Sequence, residues 1–267
     1  MNTLTLADGR ALAYRETGHG RPLLLLHGWS LSSAAFSELL TELGREFRVI
    51  APDLRGHGFS AAAQGCGLDD FAADLHALIT AMDLDRLALG GWSLGGQVAL
   101  RLAQALPERI ERLLLIATTP RFVSAEDWPH GLPVGQVRSL GRNLQRAFEK
   151  TLGEFFNLLF GADEISSDRY RQILGFAVRA GRLPHPDTAL GALDTLRDVD
   201  LRGELTAIGC PTLVLHGRED RIIPPGAGRF VAQAIAGARW CEMPGVGHAP
   251  FFSRPAQTLD LFREFLS

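Results

Sequence analysis

Leu87-Ala88-Leu89-Gly90-Gly91-Trp92-Ser93-Leu94-Gly95-Gly96 is an apolar run that ends in a serine enclosed by glycines. A short apolar run bounded by small residues reads as a buried strand. From Leu94 towards Ala105 the apolar spacing becomes helical, so Ser93 stands at a strand-to-helix junction. Serine and glycine are common in turns for purely local reasons, and a plain turn is one reading. The other is mechanical. In G-x-S-x-G between a strand and a helix, the sharp bend lifts the hydroxyl above the sheet and puts the next N–H at a helix N-terminus. Small residues must stand two positions to either side, as Gly91 and Gly95 do here. This reading makes Ser93 a nucleophile and the N–H of Leu94 a hydrogen-bond donor to an anion.

Around that junction, strands and helices alternate. Pro22–Leu26, Arg48–Ala51, Arg86–Gly90 and Leu113–Ala117 are short apolar strands; Ser33–Leu43 and Leu68–Met82 have helical spacing. Leu68, Phe71, Leu75, Leu78 and Ile79 share one face of the second helix. Asp69, Asp70 and Asp74 lie near its start, where carboxylates suit the helix dipole. The first residues alternate apolar and polar about Asp8-Gly9, a hairpin signature. Such alternation predicts an α/β fold with a mostly parallel sheet covered on both faces. From Thr118 to about Ile208 no strand is predicted. That stretch holds helical segments at 135–159 and 167–179, punctuated by Pro120, Pro129, Pro133, Pro184 and Pro186. The rhythm resumes with the strand Pro211–Gly217, a helix over 227–236, the strand Arg239–Met243 and a helix over 256–266. The chain therefore divides into core residues 1–119, a helical insertion over 120–208, and core residues 209–267. An insertion at the C-terminal edge of a parallel sheet covers the crevice where such folds bind ligands.

Composition narrows the function classes. A formal net charge of −3 argues against a general nucleic-acid binder, which normally carries a basic excess. No apolar run approaches the ~20 residues that span a bilayer, and the N-terminus lacks the basic start and apolar core of a signal peptide. A cytoplasmic monomer without a membrane partner is expected. Cys66, Cys210 and Cys241 are an odd number without metal-ligand spacing, so buried free thiols and no metal site are expected.

A serine hydroxyl is a weak nucleophile until a base takes its proton and a third group orients that base. Of eight histidines, His248 lies in the loop after the last predicted strand, within Gly245-Val246-Gly247-His248-Ala249-Pro250. The preceding strand ends in His216-Gly217-Arg218-Glu219-Asp220, which offers two neighbouring carboxylates. Acyl transfer also needs a second donor towards the oxyanion. The loop His27-Gly28-Trp29 supplies the N–H of Trp29, with the indole as a wall of the acyl pocket. His27 and His57 sit in Gly-rich loops and read as structural.

Together, His27-Gly28-Trp29, the Asp53–Ser60 stretch, Gly91–Gly96, Asp220 and Gly247-His248 resemble the α/β-hydrolase superfamily over nearly the whole chain. The resemblance implies a mainly parallel eight-stranded sheet, a helical cap, the chain order Ser93, Asp220, His248 for the triad, and no cofactor. Asp220 is preferred to Glu219 because it fits the superfamily's G-x-x-D followed by an apolar-apolar-Pro run, here Ile222-Ile223-Pro224. A serine nucleophile sets the chain apart from the dehalogenase and epoxide-hydrolase branches, which use aspartate. Gly90–Gly96, Thr118-Thr119-Pro120-Arg121-Phe122 leading to Asp127-Trp128-Pro129, Asp198–Arg202 and His248-Ala249-Pro250-Phe251 resemble the pimeloyl-carrier-protein methyl ester esterases of biotin synthesis.

That resemblance implies an acyl ester presented on acyl carrier protein. Arg138, Arg142, Arg146 and Lys150 recur every fourth residue and on one helix would form a basic ridge for an acidic carrier. Between them, Leu140, Leu144, Phe148, Leu152, Phe155 and Phe156 would face the site and hold an acyl chain, with Trp29, Phe148 and Phe155 as the substrate contacts. The competing readings are a short-chain esterase, an enol-lactone or C–C bond hydrolase, and a non-catalytic ligand-binding protein of the same fold.

Overall fold

Leu23, Leu24, Leu25 and Leu26 are all fully buried in the computed structural model, which describes residues 1–267. Consecutive strand residues can all be buried only where helices cover both faces of the sheet. The strands are β1 (Asn2–Thr5), β2 (Ala11–Thr17), β3 (Pro22–Leu26), β4 (Arg48–Pro52), β5 (Leu87–Trp92), β6 (Ile110–Ile116), β7 (Thr212–Gly217) and β8 (Arg239–Met243). They form one sheet in the order β1-β2-β4-β3-β5-β6-β7-β8. The pairs β1–β2 and β2–β4 are antiparallel, and every other pair is parallel. From β3 the chain visits β4 on one side, then crosses to β5 on the other. The crevice beyond the C-terminal ends of β3 and β5 is thus the topological switch point.

The helices are α1 (Ser37–Leu43), α2 (Leu68–Ala81), α3 (Leu94–Ala105), α4 (Val134–Arg146), α5 (Phe148–Asn157), α6 (Ser167–Ile173), α7 (Pro186–Asp198), α8 (Pro225–Ala234), α9 (Pro250–Ser253) and α10 (Pro255–Leu266). None is long and apolar enough to cross a membrane. Helices α4 to α7 all fall between β6 and β7, a stretch without a strand of the sheet. Its two ends are tied together. The Leu201 N–H donates to the Pro120 carbonyl at 2.8 Å, Arg121 pairs with Asp200 at 2.9 Å, and Arg202 pairs with Asp127 at 2.9 Å. Arg202 also lies over the Trp128 ring at 5.4 Å.

Element boundaries depart from the sequence expectation in places. Strand β6 begins at Ile110 rather than Leu113, because the polar Arg112 still pairs with Ala88 at the strand's exposed end. The helix expected over 135–159 is two helices. Ala147, at φ −153° and ψ 67°, breaks it between α4 and α5. The segment expected as one helix over 167–179 changes from α-helical to π-helical at Leu174. The three cysteines are free but only half-buried, since Cys66 precedes α2, Cys210 precedes β7 and Cys241 lies in the edge strand β8. Asp74 does not serve the dipole of α2. Its buried carboxylate binds Arg55 (2.7 and 2.8 Å) and Arg10 (2.7 and 3.0 Å). Burial works to raise its pKa, but the hydrogen bonds from Arg10 and Arg55 hold it below the ordinary value.

Candidate active site

Ser93 follows β5 and precedes α3 at φ 56° and ψ −117°, a backbone region that L-residues rarely occupy. The bend is held from both sides. The Ser93 N–H donates to the Ile116 carbonyl at 2.9 Å, and the Ser93 carbonyl accepts from Gly96 N–H (2.9 Å) and Thr118 Oγ1 (2.8 Å). A Cβ on Gly91 would run into the Gly95 carbonyl, and one on Gly95 into the Leu26 carbonyl. Both glycines are therefore required by close backbone approach. The backbone N–H groups of Trp29, after β3, and Leu94, at the first turn of α3, donate to no protein acceptor. Both flank the switch point.

After β7 and β8, two further loops meet. His248 Nδ1 lies 2.7 Å from Asp220 Oδ2, both side chains being almost fully buried. Glu219 points to solvent. The same Asp220 oxygen is 3.1 Å from His216 Nε2, and Oδ1 accepts the N–H groups of Ile222 (2.8 Å) and Ile223 (2.9 Å). Burial raises the Asp220 pKa, but the charge of His248 and the hydrogen bonds from both histidines outweigh it and hold the carboxyl far below its usual range. With a carboxylate at Nδ1, the neutral His248 ring carries its proton there and presents Nε2 as an acceptor. The His248 backbone is clamped as well. Its N–H donates to the Leu159 carbonyl (2.8 Å), and its carbonyl accepts from the Trp92 indole (2.9 Å). Trp92 thus ties the serine bend to the histidine loop, a role that motif spacing did not reveal.

His27 and His57 are fully buried elsewhere. Leu54 N–H donates to His27 Nε2 (2.9 Å), and His27 Nδ1–H donates to the Gly28 carbonyl (2.8 Å). Burial pushes the pKa of His27 down to about 4 and, with the neighbouring His27, that of His57 down to about 3. Both rings stay neutral and pin their loops.

Ser93 and His248 open into one cavity of about 120 Å³, with walls from Trp29, Leu152, Phe155, Phe156 and Val178. The Trp29 and Phe155 rings meet near-perpendicular with centroids 4.8 Å apart, and Trp29 Nε1–H donates to the Ala189 carbonyl of α7 (2.8 Å). Phe148, expected as a substrate contact, is not among the cavity walls, nor are Leu140 and Leu144. The break at Ala147 resets the helical phase, so α4 packs on α5 and α7 while, of these two consecutive helices, only α5 faces the cavity. The break also divides the expected ridge. Arg138, Arg142 and Arg146 are exposed along α4, whereas Lys150 stands on α5 near Glu154. Arg138 and Arg142 flank a groove shared with Arg197 and Asp194 of α7.

Residues 21–255 match the profile of the alpha/beta hydrolase fold. The chain belongs to the α/β-hydrolase fold family. It is 37% identical over 246 residues to the pimeloyl-[acyl-carrier protein] methyl ester esterase of Nitrosomonas europaea, covering 92% of this chain and 96% of that one. The protein of the same name from Chromobacterium violaceum is 35% identical over 250 residues, covering 93% and 95%. Among solved structures, an esterase from Exiguobacterium antarcticum superposes with a TM-score of 0.92 at 26% identity, over 99% of each chain. Within the family, this hydrolase is a carboxylic ester hydrolase.

Proposed function

We propose that this hydrolase cleaves an acyl ester through Ser93, His248 and Asp220, and that its substrate is pimeloyl-[acyl-carrier protein] methyl ester. The observation that carries the mechanism is the convergence of the strained Ser93 and the Asp220-bound His248 on one apolar cavity. His248 Nε2 takes the Ser93 proton as Oγ attacks the ester carbonyl. The oxyanion lies between the free N–H groups of Trp29 and Leu94. The C–O bond to the alcohol breaks, and His248 returns its proton to the departing methoxide, releasing methanol. Water then gives a proton to His248 and attacks the acyl-enzyme. The Ser93–acyl bond breaks as His248 returns that proton to Ser93 Oγ, and the acid leaves. No step calls for a cofactor or metal.

The relatives' names support the carrier-bound substrate, as do the exposed arginines of α4, which suit an acidic carrier. In this reading residues 120–208 form the cap over core segments 1–119 and 209–267. Trp29 and Phe155 line the acyl chain, and Lys150 lies outside the docking face. Two assays test it. Ser93→Ala abolishes p-nitrophenyl ester hydrolysis and labelling by a fluorophosphonate; activity within a few-fold of wild type removes Ser93 from its role. Reversing Arg138, Arg142 and Arg146 to Glu lowers kcat/KM on the carrier-bound methyl ester at least ten-fold and spares free esters. Equal turnover of both substrates by both proteins points instead to a general short-chain esterase.

A further inference from the structure

The loop that carries His248 is fastened to the segment between α5 and α6, and the fastening centres on a single carboxylate. Glu164 is 8% exposed, and its Oε2 accepts the N–H groups of Gly161 (2.5 Å) and Gly247 (2.8 Å). Gly247 directly precedes His248, whose own N–H donates to Leu159, two residues before Gly161. A Cβ on Gly247 would lie 2.6 Å from the Leu159 carbonyl, so the strands of this contact are as close as glycine permits. Further along, Arg254 donates to the Glu164 carbonyl (3.2 Å). Arg169 of α6 donates to the Phe252 carbonyl (2.8 and 3.0 Å) and grips Glu38 of α1 with both terminal nitrogens (2.6 Å each).

The other carboxylate oxygen, Oε1, is buried without a hydrogen-bond partner. A half-satisfied buried carboxylate costs stability, so turn formation at 161–164 alone does not account for an acid at this position. The geometry points to Glu164 as a positioning residue. Its carboxylate sets the height of the His248 backbone, and thereby the approach of the imidazole to Ser93 and Asp220. This inference rests on the triad reading given above. It also makes the 159–169 segment a fixed part of the active-site frame rather than a moving flap.

The test compares Glu164→Gln, which keeps an acceptor oxygen for Gly247, with Glu164→Leu, which removes it. Glu164→Asp keeps the charge but withdraws the oxygen by one methylene, and carries the same test at near-native volume. On p-nitrophenyl butyrate, at a temperature well below each variant's Tm, Leu lowers kcat at least ten-fold with KM within about two-fold. Asp gives a smaller loss in the same direction, and Gln stays within about three-fold of wild type. The downfield proton NMR resonance of the His248–Asp220 hydrogen bond, assigned by its loss in His248→Ala, persists in Gln and is lost in Leu. A purely structural role predicts a lower Tm with unchanged kcat and an unchanged resonance, and that result overturns the inference. Full activity in His248→Ala removes the triad and this inference together. An inactive His248→Ala beside undiminished kcat in Glu164→Leu and Glu164→Asp removes this inference alone.

Discussion

Replacing Asp220 by Asn tests the triad through the proton on His248. The native carboxylate accepts from four directions: Ile222 and Ile223 N–H on Oδ1, and His248 and His216 on Oδ2. An asparagine has one acceptor and one donor end. Turning its NH2 towards the backbone would oppose two N–H groups at once, so the oxygen keeps Ile222 and Ile223 and the NH2 faces the histidines. His216 tolerates this, because its Nε2–H still has the Ile223 carbonyl at 2.9 Å. His248 does not. A donor opposite Nδ1 drives the ring to the other tautomer, with the proton on Nε2 facing Ser93, and that ring cannot take the serine proton. Loss of the orienting charge and tautomer lowers kcat about ten-thousand-fold in a serine–histidine–aspartate site, equal to about 5 kcal/mol of barrier. The assay is initial-rate hydrolysis of p-nitrophenyl butyrate at pH 7, with circular dichroism to check folding. A folded Asp220→Asn protein within ten-fold of wild type refutes the argument.

The remaining predictions concern the frame and the pocket. Asp74→Asn takes away the buried carboxylate that Arg55 and Arg10 share, leaving Arg55 only the more exposed Asp70 (3.1 Å) and Arg10 only Asp8 (2.6 Å), at a cost of up to roughly 3 kcal/mol, which corresponds to a Tm lower by up to roughly 6–12 °C; calorimetry at pH 7 reads this. Because the folded Asp74 pKa lies below its ordinary 3.8, the stability it supplies is present above that value and is lost as pH falls through the folded value. The variant's Tm therefore falls less than wild type's on acidification below pH 4, and parallel curves count against the network. Phe155→Ala removes the wall that meets Trp29 and lengthens the cavity, so the best p-nitrophenyl ester becomes longer by two or more carbons; an unchanged chain-length profile places Phe155 outside the acyl path.

The parts of this molecule that were legible in the sequence are those governed by local sterics and periodicity. The bend at Ser93 needs Gly91 and Gly95 because of carbonyls only a strand's width away, so its signature is a five-residue pattern. The buried runs at Leu23–Leu26 and Leu213–Leu215 read as central strands for the same reason. Contacts between distant residues were not legible. Local spacing did not separate Glu219 from Asp220, and the preference for Asp220 came from the family pattern; in the structure the β7 and β8 loops meet with Asp220 turned inward to His248. Asp74 looked like a dipole partner because its arginines lie 64 and 19 residues away. Glu164 gave no signal at all, its partner Gly247 being 83 residues distant.

The same division explains the errors around α4 and α5. Apolar spacing continues through Ala147, so the sequence supports one long helix with one basic ridge. Packing of α4 on α5 and α7 is satisfied only by a break there, which moves Lys150 off the ridge and Phe148 away from the cavity. The sequence by itself determined the α/β architecture, the strained serine bend and its position at the sheet's C-terminal edge, because these follow from short-range sterics and hydrophobic period. Only the tertiary structure decided which aromatics wall the cavity and which carboxylate holds the histidine loop, because each depends on where the fold brings together backbones that are far apart in the chain.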